Sequence, residues 1–272
     1  MSVLHRLNHA RIFSRRVSLW GRDFRPPSAD RLLALWLFRL GLLGRREAEV
    51  FGTLVRPGQT VADVGANQGI FTLLLSGLVG PSGSVLAFEP EPRLFRALSE
   101  NCRRNGVRNV ELFGFALSDR RGRAALHVSA VHSGDNRLDA APGPGPMIDV
   151  DVLPLDEVLA GRRVDLVKID VQGHEPRVLA GMKRALHQDP APVLVLEFWP
   201  DGLRQAGHEP DELLAGLRAI GYKLHVIKGD GGLGSLEESD VGRLRGHLGY
   251  VDLVARPEPG SSLSVHAGPD RS

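Results

Sequence analysis

A single cysteine, Cys102, stands in 272 residues, so no disulfide can form within the chain. That composition suits a reducing compartment, and a cytoplasmic protein is expected. Cys102 falls inside a helix candidate, where a buried thiol is the expectation rather than a reactive one. Aromatic residues are scarce, at 6%, and do not alternate with basic ones. This disfavours nucleic acid as a partner recognised by base stacking. Lysine is nearly missing: only four residues are Lys, so Arg supplies almost all of the 34 basic side chains. Coding bias is the first explanation, although Arg can also recognise anions bidentately. A net charge of +2 implies no strong polyanionic partner. No apolar run approaches the ~20 residues that span a bilayer, and the run Leu32 to Leu43 is broken by Arg39. The first 22 residues lack acids but hold several Arg, among them Arg6, Arg11, Arg15 and Arg16. That composition resembles a transit peptide. An amphipathic arm packing on the core or on a second subunit is the plainer expectation, and a membrane-surface helix is a third.

What is present is an alternation. The 42% hydrophobic content supports one sizeable core. Strand signals at 60–64, 84–88, 110–115, 164–170, 193–198, 222–227 and 250–255 are separated by helix signals at 70–78, 92–105, 175–186 and 210–220. This predicts an α/β fold built on a seven-stranded, mostly parallel, doubly wound sheet whose final hairpin adds an antiparallel strand. Residues 1–45 read as a basic helical extension and 46–256 as the main domain. Residues 257–272, rich in Gly, Ser and Pro, read as a disordered tail. The long connection 118–163 carries strand-like runs at 124–128 and 148–152. It leaves the ligand-facing edge of the sheet, which makes it a candidate substrate-facing flap. No internal repeat is found.

The most informative stretch is Asp63-Val64-Gly65-Ala66-Asn67-Gln68-Gly69, between a strand and a helix. A second apolar strand ends at Glu89, 20 residues beyond Gly69. A strand, a glycine-bearing turn, a helix and a strand ending in an acid is half of a nucleotide-binding unit. The loop spacing is not the G-x-G-x-x-G of dinucleotide sites, and an acid opening it would repel a pyrophosphate. A cationic ligand suits it better. S-adenosylmethionine carries an ammonium, a sulfonium and a ribose diol that a carboxylate such as Glu89 can accept from. Open sheets of this type hold ligands beyond the carboxyl ends of their strands. Asp63, Glu89, Asp119, Asp170 and Glu197 all fall there.

Taken in order, D-V-G-A-N-Q-G, F-E-P at 88–90, A-L-S-D at 116–119, L-D at 155–156, K-I-D-V-Q-G-H-E at 168–175 and L-E at 196–197 resemble the FkbM-type S-adenosylmethionine-dependent methyltransferases. The resemblance covers roughly residues 50–255. It implies a class I methyltransferase (Rossmann-like) fold, S-adenosylmethionine as cofactor, and most often O-methylation of a sugar or natural product. One departure is visible: Gln172 stands where the family usually has Glu, which removes a charge near the presumed reaction centre.

On this reading Asp63 holds the methionine ammonium, directly or through water. Gly65 and Gly69, with Ala66 and Asn67 between them, give close approach. Glu89, followed by Pro90, takes the ribose. Asp119, with the backbone of Leu117 and beside Ser118, takes the adenine edge. Asp170 ends the strand where donor and acceptor meet. Because an alcohol acceptor has a proton to lose, Asp170, His174 and Glu175 are the candidate bases. His174 has the most suitable intrinsic pKa, and Glu175 has an alternative role at a helix start. Lys168 shares the face of Asp170 and could hold Glu197 or a substrate oxygen, or form a structural ion pair. Glu197 is a possible second base or, with Asp170, a ligand for magnesium, although no dedicated metal spacing exists and the metal stays unknown. His132, Ser133 and Asn136 of the flap could read substrate hydroxyls. Trp199 reads as core at least as well as site. The partner expected is a small hydroxylated molecule, with a homo-oligomer possible through the N-terminal arm. Rival readings are a nicotinamide oxidoreductase, and a degenerate fold acting as a cofactor-binding or interaction module.

Overall fold

The computed structural model describes residues 17–27, 34, 37, 39–41, 44–129, 134–138, 145–228, 231–236 and 249–258. The chain opens on a hairpin, β1 (Val17–Leu19) and β2 (Arg22–Phe24), paired antiparallel. Val17 and Leu19 point inward and Ser18 outward, the period of a strand. These residues lie inside the extension expected to be helical. Three-residue strands are too short to register against its basic composition. The hairpin is tied to its own chain: Asp23 N and Arg25 N donate to the side-chain oxygens of Asn105 and Asn101.

Helix α1 (Arg45–Leu54) leads into β3 (Thr60–Val64), whose last four residues are buried. Helix α2 (Ile70–Val79), strand β4 (Ser84–Phe88) and helix α3 (Pro92–Arg104) follow. Helix α3 is amphipathic: Leu94, Leu98, Asn101 and Cys102 recur at helical spacing on its buried face. Glu91 caps it, its carboxylate accepting from Leu94 N at 2.8 Å, and Pro92 occupies the first turn. Burial pushes the Cys102 thiol up to about 12, so it is protonated and inert at neutral pH.

After β5 (Val110–Phe113) the chain leaves the main sheet at β6 (Ala116–Leu117), β7 (Gly122–His127), β8 (Arg137–Leu138) and β9 (Met147–Leu153). These four form a separate sheet in the order β6-β9-β7-β8 around an apolar cluster that includes Leu126, Leu138 and Val150. The two strand-like runs expected in the insertion are therefore the antiparallel pair β7 and β9.

The main sheet resumes after α4 (Leu155–Leu159) with β10 (Leu166–Ile169). The helix expected at 175–186 is two: α5 (Glu175–Ala180) and α6 (Lys183–Leu186). The break falls at Gly181, where a Cβ would sit 2.0 Å from the Ser118 carbonyl oxygen. Strand β11 (Val193–Phe198), helices α7 (Pro200–Gln205) and α8 (Pro210–Ala219), and strands β12 (Tyr222–Ile227), β13 (Leu233–Ser235) and β14 (Val251–Pro257) complete the chain.

The main sheet runs β13-β12-β14-β11-β10-β3-β4-β5. It is α/β and mostly parallel, with β14 antiparallel to both β11 and β12. It has eight strands, not seven: β13 adds a three-residue edge whose Leu-Gly-Ser sequence carries no period of its own. The parallel strands β4, β3, β10 and β11 end side by side, in register Phe88↔Val64↔Ile169↔Leu196. Among the described residues no helix is long and apolar enough to cross a membrane.

Candidate active site

Beyond those strand ends lies a cavity of about 760 Å³, within the range of small-molecule sites. Its first wall is the loop after β3. Gly65 N and Ala66 N donate to the Phe88 carbonyl at 3.1 and 2.9 Å, pinning the loop to β4. Asn67 takes a left-handed conformation (φ 53°), a cost Asn tolerates, and its N–H donates to Glu89 Oε2 at 2.8 Å. Glu89 Oε1 accepts from Glu91 N at 2.9 Å. Glu89, 5% exposed, thus ties two loops together, and Glu89 and Pro90 both line the cavity.

The two loop glycines are packed against protein neighbours that leave no room for a side chain. Both have positive φ (81° and 91°). A Cβ on Gly65 would meet the Asp170 carbonyl oxygen at 2.0 Å, and one on Gly69 would meet Leu98 Cδ1 at 2.7 Å. Protein neighbours, not open space, exclude a side chain.

Asp63 is fully buried beneath this loop and does not line the cavity. Thr72 Oγ1 donates to its Oδ2 at 2.6 Å, and Lys168 Nζ lies 3.4 Å from its Oδ1. Lys168 also reaches Asp170 Oδ2 at 3.3 Å, and its ammonium sits 5.4 Å from the Phe71 ring centroid. Burial alone would lower the Lys168 pKa, but the Asp170 and Asp63 carboxylates outweigh it and hold the ammonium above the ordinary lysine range. So Lys168 is charged and pairs Asp63 with Asp170, not with Glu197. Asp63 itself contacts Thr72 and Lys168 and is reached from the cavity through Lys168, which lines it.

Opposite the loop stand Asp170, Gln172 and Glu197. Gln172 is also left-handed (φ 56°), and its amide nitrogen donates to Asp170 Oδ1 at 3.2 Å and to Glu197 Oε2 at 2.7 Å. Asp252, in register opposite Glu197 on β14, joins them with Glu47 and Tyr250. Burial, then the charges of Asp170, Glu175 and Asp252, push the Glu197 carboxyl well above the usual carboxylate range. Burial and Glu47 do the same to Asp252.

The other expected acid–base groups do not line the cavity. His174 is 4% exposed, with Nε2 3.2 Å from Ser118 Oγ. The single Ser118 hydroxyl proton goes to Asp119 Oδ1 at 3.0 Å, so satisfying both contacts requires a proton on His174 Nε2. That nitrogen is then a donor, not a base. Glu175 is 1% exposed and folds back over its own turn, Oε1 accepting from Val171 N and Gly173 N at 3.2 Å each. Burial raises it to about 7. Asp119 faces Arg177 and Arg120 at 3.5 and 3.7 Å. Of the A-L-S-D segment, Ala116 and Leu117 line the cavity, while Ser118 and Asp119 do not.

The insertion closes the cavity from above. Asp135, Asn136, Arg137 and Leu138 line it, and Arg137 lies 4.3 Å from the centroid of the Trp199 ring. Asn136 Oδ1 also accepts from Ser129 N at 3.0 Å. His132 and Ser133 lie outside the described residues. Glu47, Arg137, Tyr250 and Asp252 carry no local motif; helix α1, the fold of the insertion and the pairing of β14 with β11 bring them here.

Six acids line the cavity (Glu47, Glu89, Asp135, Asp170, Glu197, Asp252) against two bases (Arg137, Lys168). Even with Glu197 and Asp252 counted as neutral, Glu47, Glu89, Asp135 and Asp170 outnumber the two cations, a balance that fits a cationic ligand. Glu89, having accepted two N–H groups, keeps acceptor capacity for a diol. Among the described residues no three His, Cys, Asp or Glu are grouped to hold a metal.

Residues 63–224 match the family described as the methyltransferase FkbM domain. The 31-O-demethyl-FK506 methyltransferase FkbM of Streptomyces tacrolimicus is 33% identical over 239 residues, covering 76% of this chain and 78% of that protein. The 2-O-methyltransferase NoeI of Sinorhizobium fredii is 30% identical over 157 residues, 51% of this chain and 63% of its own length. The hexuronic acid methyltransferase AglP of Haloferax volcanii is 31% identical over 127 residues, 46% of this chain and 50% of that protein.

Proposed function

The chain belongs to the FkbM methyltransferase family, and from that premise we propose that it moves a methyl group from S-adenosylmethionine to a hydroxyl of a sugar or natural product. The observation that carries this is the pairing of Glu89 with the loop after β3, at the edge of a cavity whose acids outnumber its bases six to two. The sheet order, with β14 inserted antiparallel between β11 and β12, supports a class I methyltransferase fold. Relatives named for O- and 2-O-methylation support oxygen as the acceptor atom.

In this reading Glu89 takes the ribose diol, and Gly65, Ala66 and Asn67 shape the methionine side. Leu117, Ile70 and Leu94 supply apolar cover for the base. When bound, the cofactor supplies an activated methyl carbon. The protein's task is alignment, which can be worth several kcal/mol, together with exclusion of water and acceptance of a proton. Asp170, positioned by Lys168 and Gln172, orients the acceptor at the strand ends. The flap residues Asp135, Asn136 and Arg137 face the acceptor and set its specificity.

The test is transfer of a deuterated methyl from labelled S-adenosylmethionine to a panel of neutral sugars, amino sugars, uronic acids and hydroxylated polyketides, read by mass spectrometry. A methyl ether on any member, with equimolar S-adenosylhomocysteine, is the expected result. Transfer to nitrogen or carbon acceptors alone would overturn the assignment to oxygen.

A further inference from the structure

The acceptor side holds more carboxylates than alignment needs, and they are not equivalent. Each oxygen of Asp170 already accepts a hydrogen bond, Oδ2 from the Lys168 ammonium and Oδ1 from Gln172. Glu175 is spent on its own turn and His174 on Ser118. Glu197 differs. It is half-buried, it lines the cavity, and only its Oε2 is engaged, by Gln172 at 2.7 Å. Its Oε1 makes no hydrogen bond among the described residues. Strand register sets Asp170 and Glu197 side by side, one step beyond the Ile169↔Leu196 pair. Gln172 spends both amide protons on the two carboxylates, a bridge that a Glu at the same position could not make.

We propose that Glu197 is the catalytic residue that takes the acceptor hydroxyl's proton, and that Gln172 is the positioning residue that holds it beside Asp170 for that purpose. The assignment rests on the methyltransferase reading above. As the acceptor oxygen forms its bond to the methyl carbon, the carbon–sulfur bond breaks and its electron pair stays on sulfur as a neutral thioether. The hydroxyl proton passes to Glu197 Oε1, and from the carboxylic acid to solvent. No further reactant is needed.

The charged surroundings give this base its strength. Glu197 faces Asp170 beyond β10, Glu175 on α5 and Asp252 on β14, with Tyr250 beside Asp252 and Glu47 of α1 behind it. Lys168 is the opposing cation. Burial and these like charges raise its proton affinity. In the protein without donor these surroundings favour the protonated acid. A cationic donor in the same cavity favours its ionised form, so the base becomes competent when the donor arrives.

This has a readout that needs no acceptor. Calorimetric titration of S-adenosylmethionine at pH 7.5, in buffers of different ionisation enthalpy, is expected to show release of about one proton per site in wild type. The uncharged thioether product, S-adenosylhomocysteine, should release less. Glu197→Gln, fixed in the neutral form, should release almost none and bind the donor about tenfold more weakly at this pH, the linkage counterpart of the proton that wild type releases. With an acceptor in hand, Glu197→Gln should lower kcat about 100-fold or more and flatten the rising limb of the pH profile. Gln172→Leu should move that limb without changing donor affinity. Donor binding with no proton release in wild type, or with equal release in Glu197→Gln, overturns the assignment alone. A folded wild type that does not bind the donor at all removes the methyltransferase reading and this assignment together.

Discussion

Replacing Lys168 with methionine tests the charged hub beneath the cavity. Methionine keeps the apolar stem and its packing but removes the ammonium. Asp63 Oδ1 then loses its only charged neighbour among the described residues, in a site 0% exposed to solvent. Breaking a buried pair by removing one partner costs about 3–5 kcal/mol, because the remaining charge is uncompensated. Asp170 is a smaller loss, since its side chain is 39% exposed and water can screen it. The expected cost is about 4 kcal/mol, a drop of roughly 8 °C in Tm for a chain of this size. Urea denaturation at neutral pH, with circular dichroism, measures it. Adding Asp63→Asn should restore at least half of the loss, because Asn keeps an acceptor for the Thr72 hydroxyl and carries no charge. A loss below about 1 kcal/mol in Lys168→Met, or a double variant no better than the single one, would refute the reasoning.

Further outcomes follow from other parts of the site. Glu175, raised to about 7 from an ordinary 4.5, binds its proton more tightly folded than unfolded. Its contribution is full below about pH 4.5 and is lost as pH rises to about 7, some 3 kcal/mol in total. Glu175→Gln should remove that decline and be the more stable protein at pH 8, as denaturation curves across the range will show. Gly65→Ala forces a Cβ to 2.0 Å from the Asp170 carbonyl oxygen at φ 81°. It should destabilise by roughly 2–4 kcal/mol and abolish donor binding, and an unchanged melting curve would count against the loop geometry. Arg137→Ala removes the cation over Trp199, worth about 0.5–2 kcal/mol. It should raise the acceptor KM up to about tenfold while leaving donor affinity alone, a split that steady-state kinetics resolves.

Much of the main sheet was legible because β3, β4 and β11 are largely buried and read as mostly apolar runs, while β12 alternates buried Tyr222 and Leu224 with Lys223 and His225; all four lie where the sequence placed them. Glu89 and Asp170 were legible for the same reason, as acids ending such runs. What could not be read was non-local or too short. The hairpin at 17–24, the edge strand β13 and the helices α4 and α7 are three to six residues each, below the length at which periodicity speaks. Asp252 reaches the site only through antiparallel pairing with Glu197. His174 and Glu175 sit in the richest motif of the chain, yet the left-handed turn at Gln172 directs the amide to the cavity and buries the two that follow. The glycines of the first loop carry positive φ as such a turn demands, but the neighbours that exclude a side chain come from Asp170 and Leu98, far along the chain.

The most direct measurement is calorimetric titration of S-adenosylmethionine into wild type and Glu89→Ala, with melting curves to confirm that both are folded. The account predicts micromolar binding to wild type, weakened at least tenfold in the variant, about 1.4 kcal/mol. A folded wild type that does not bind, or a variant that binds equally well, would contradict it.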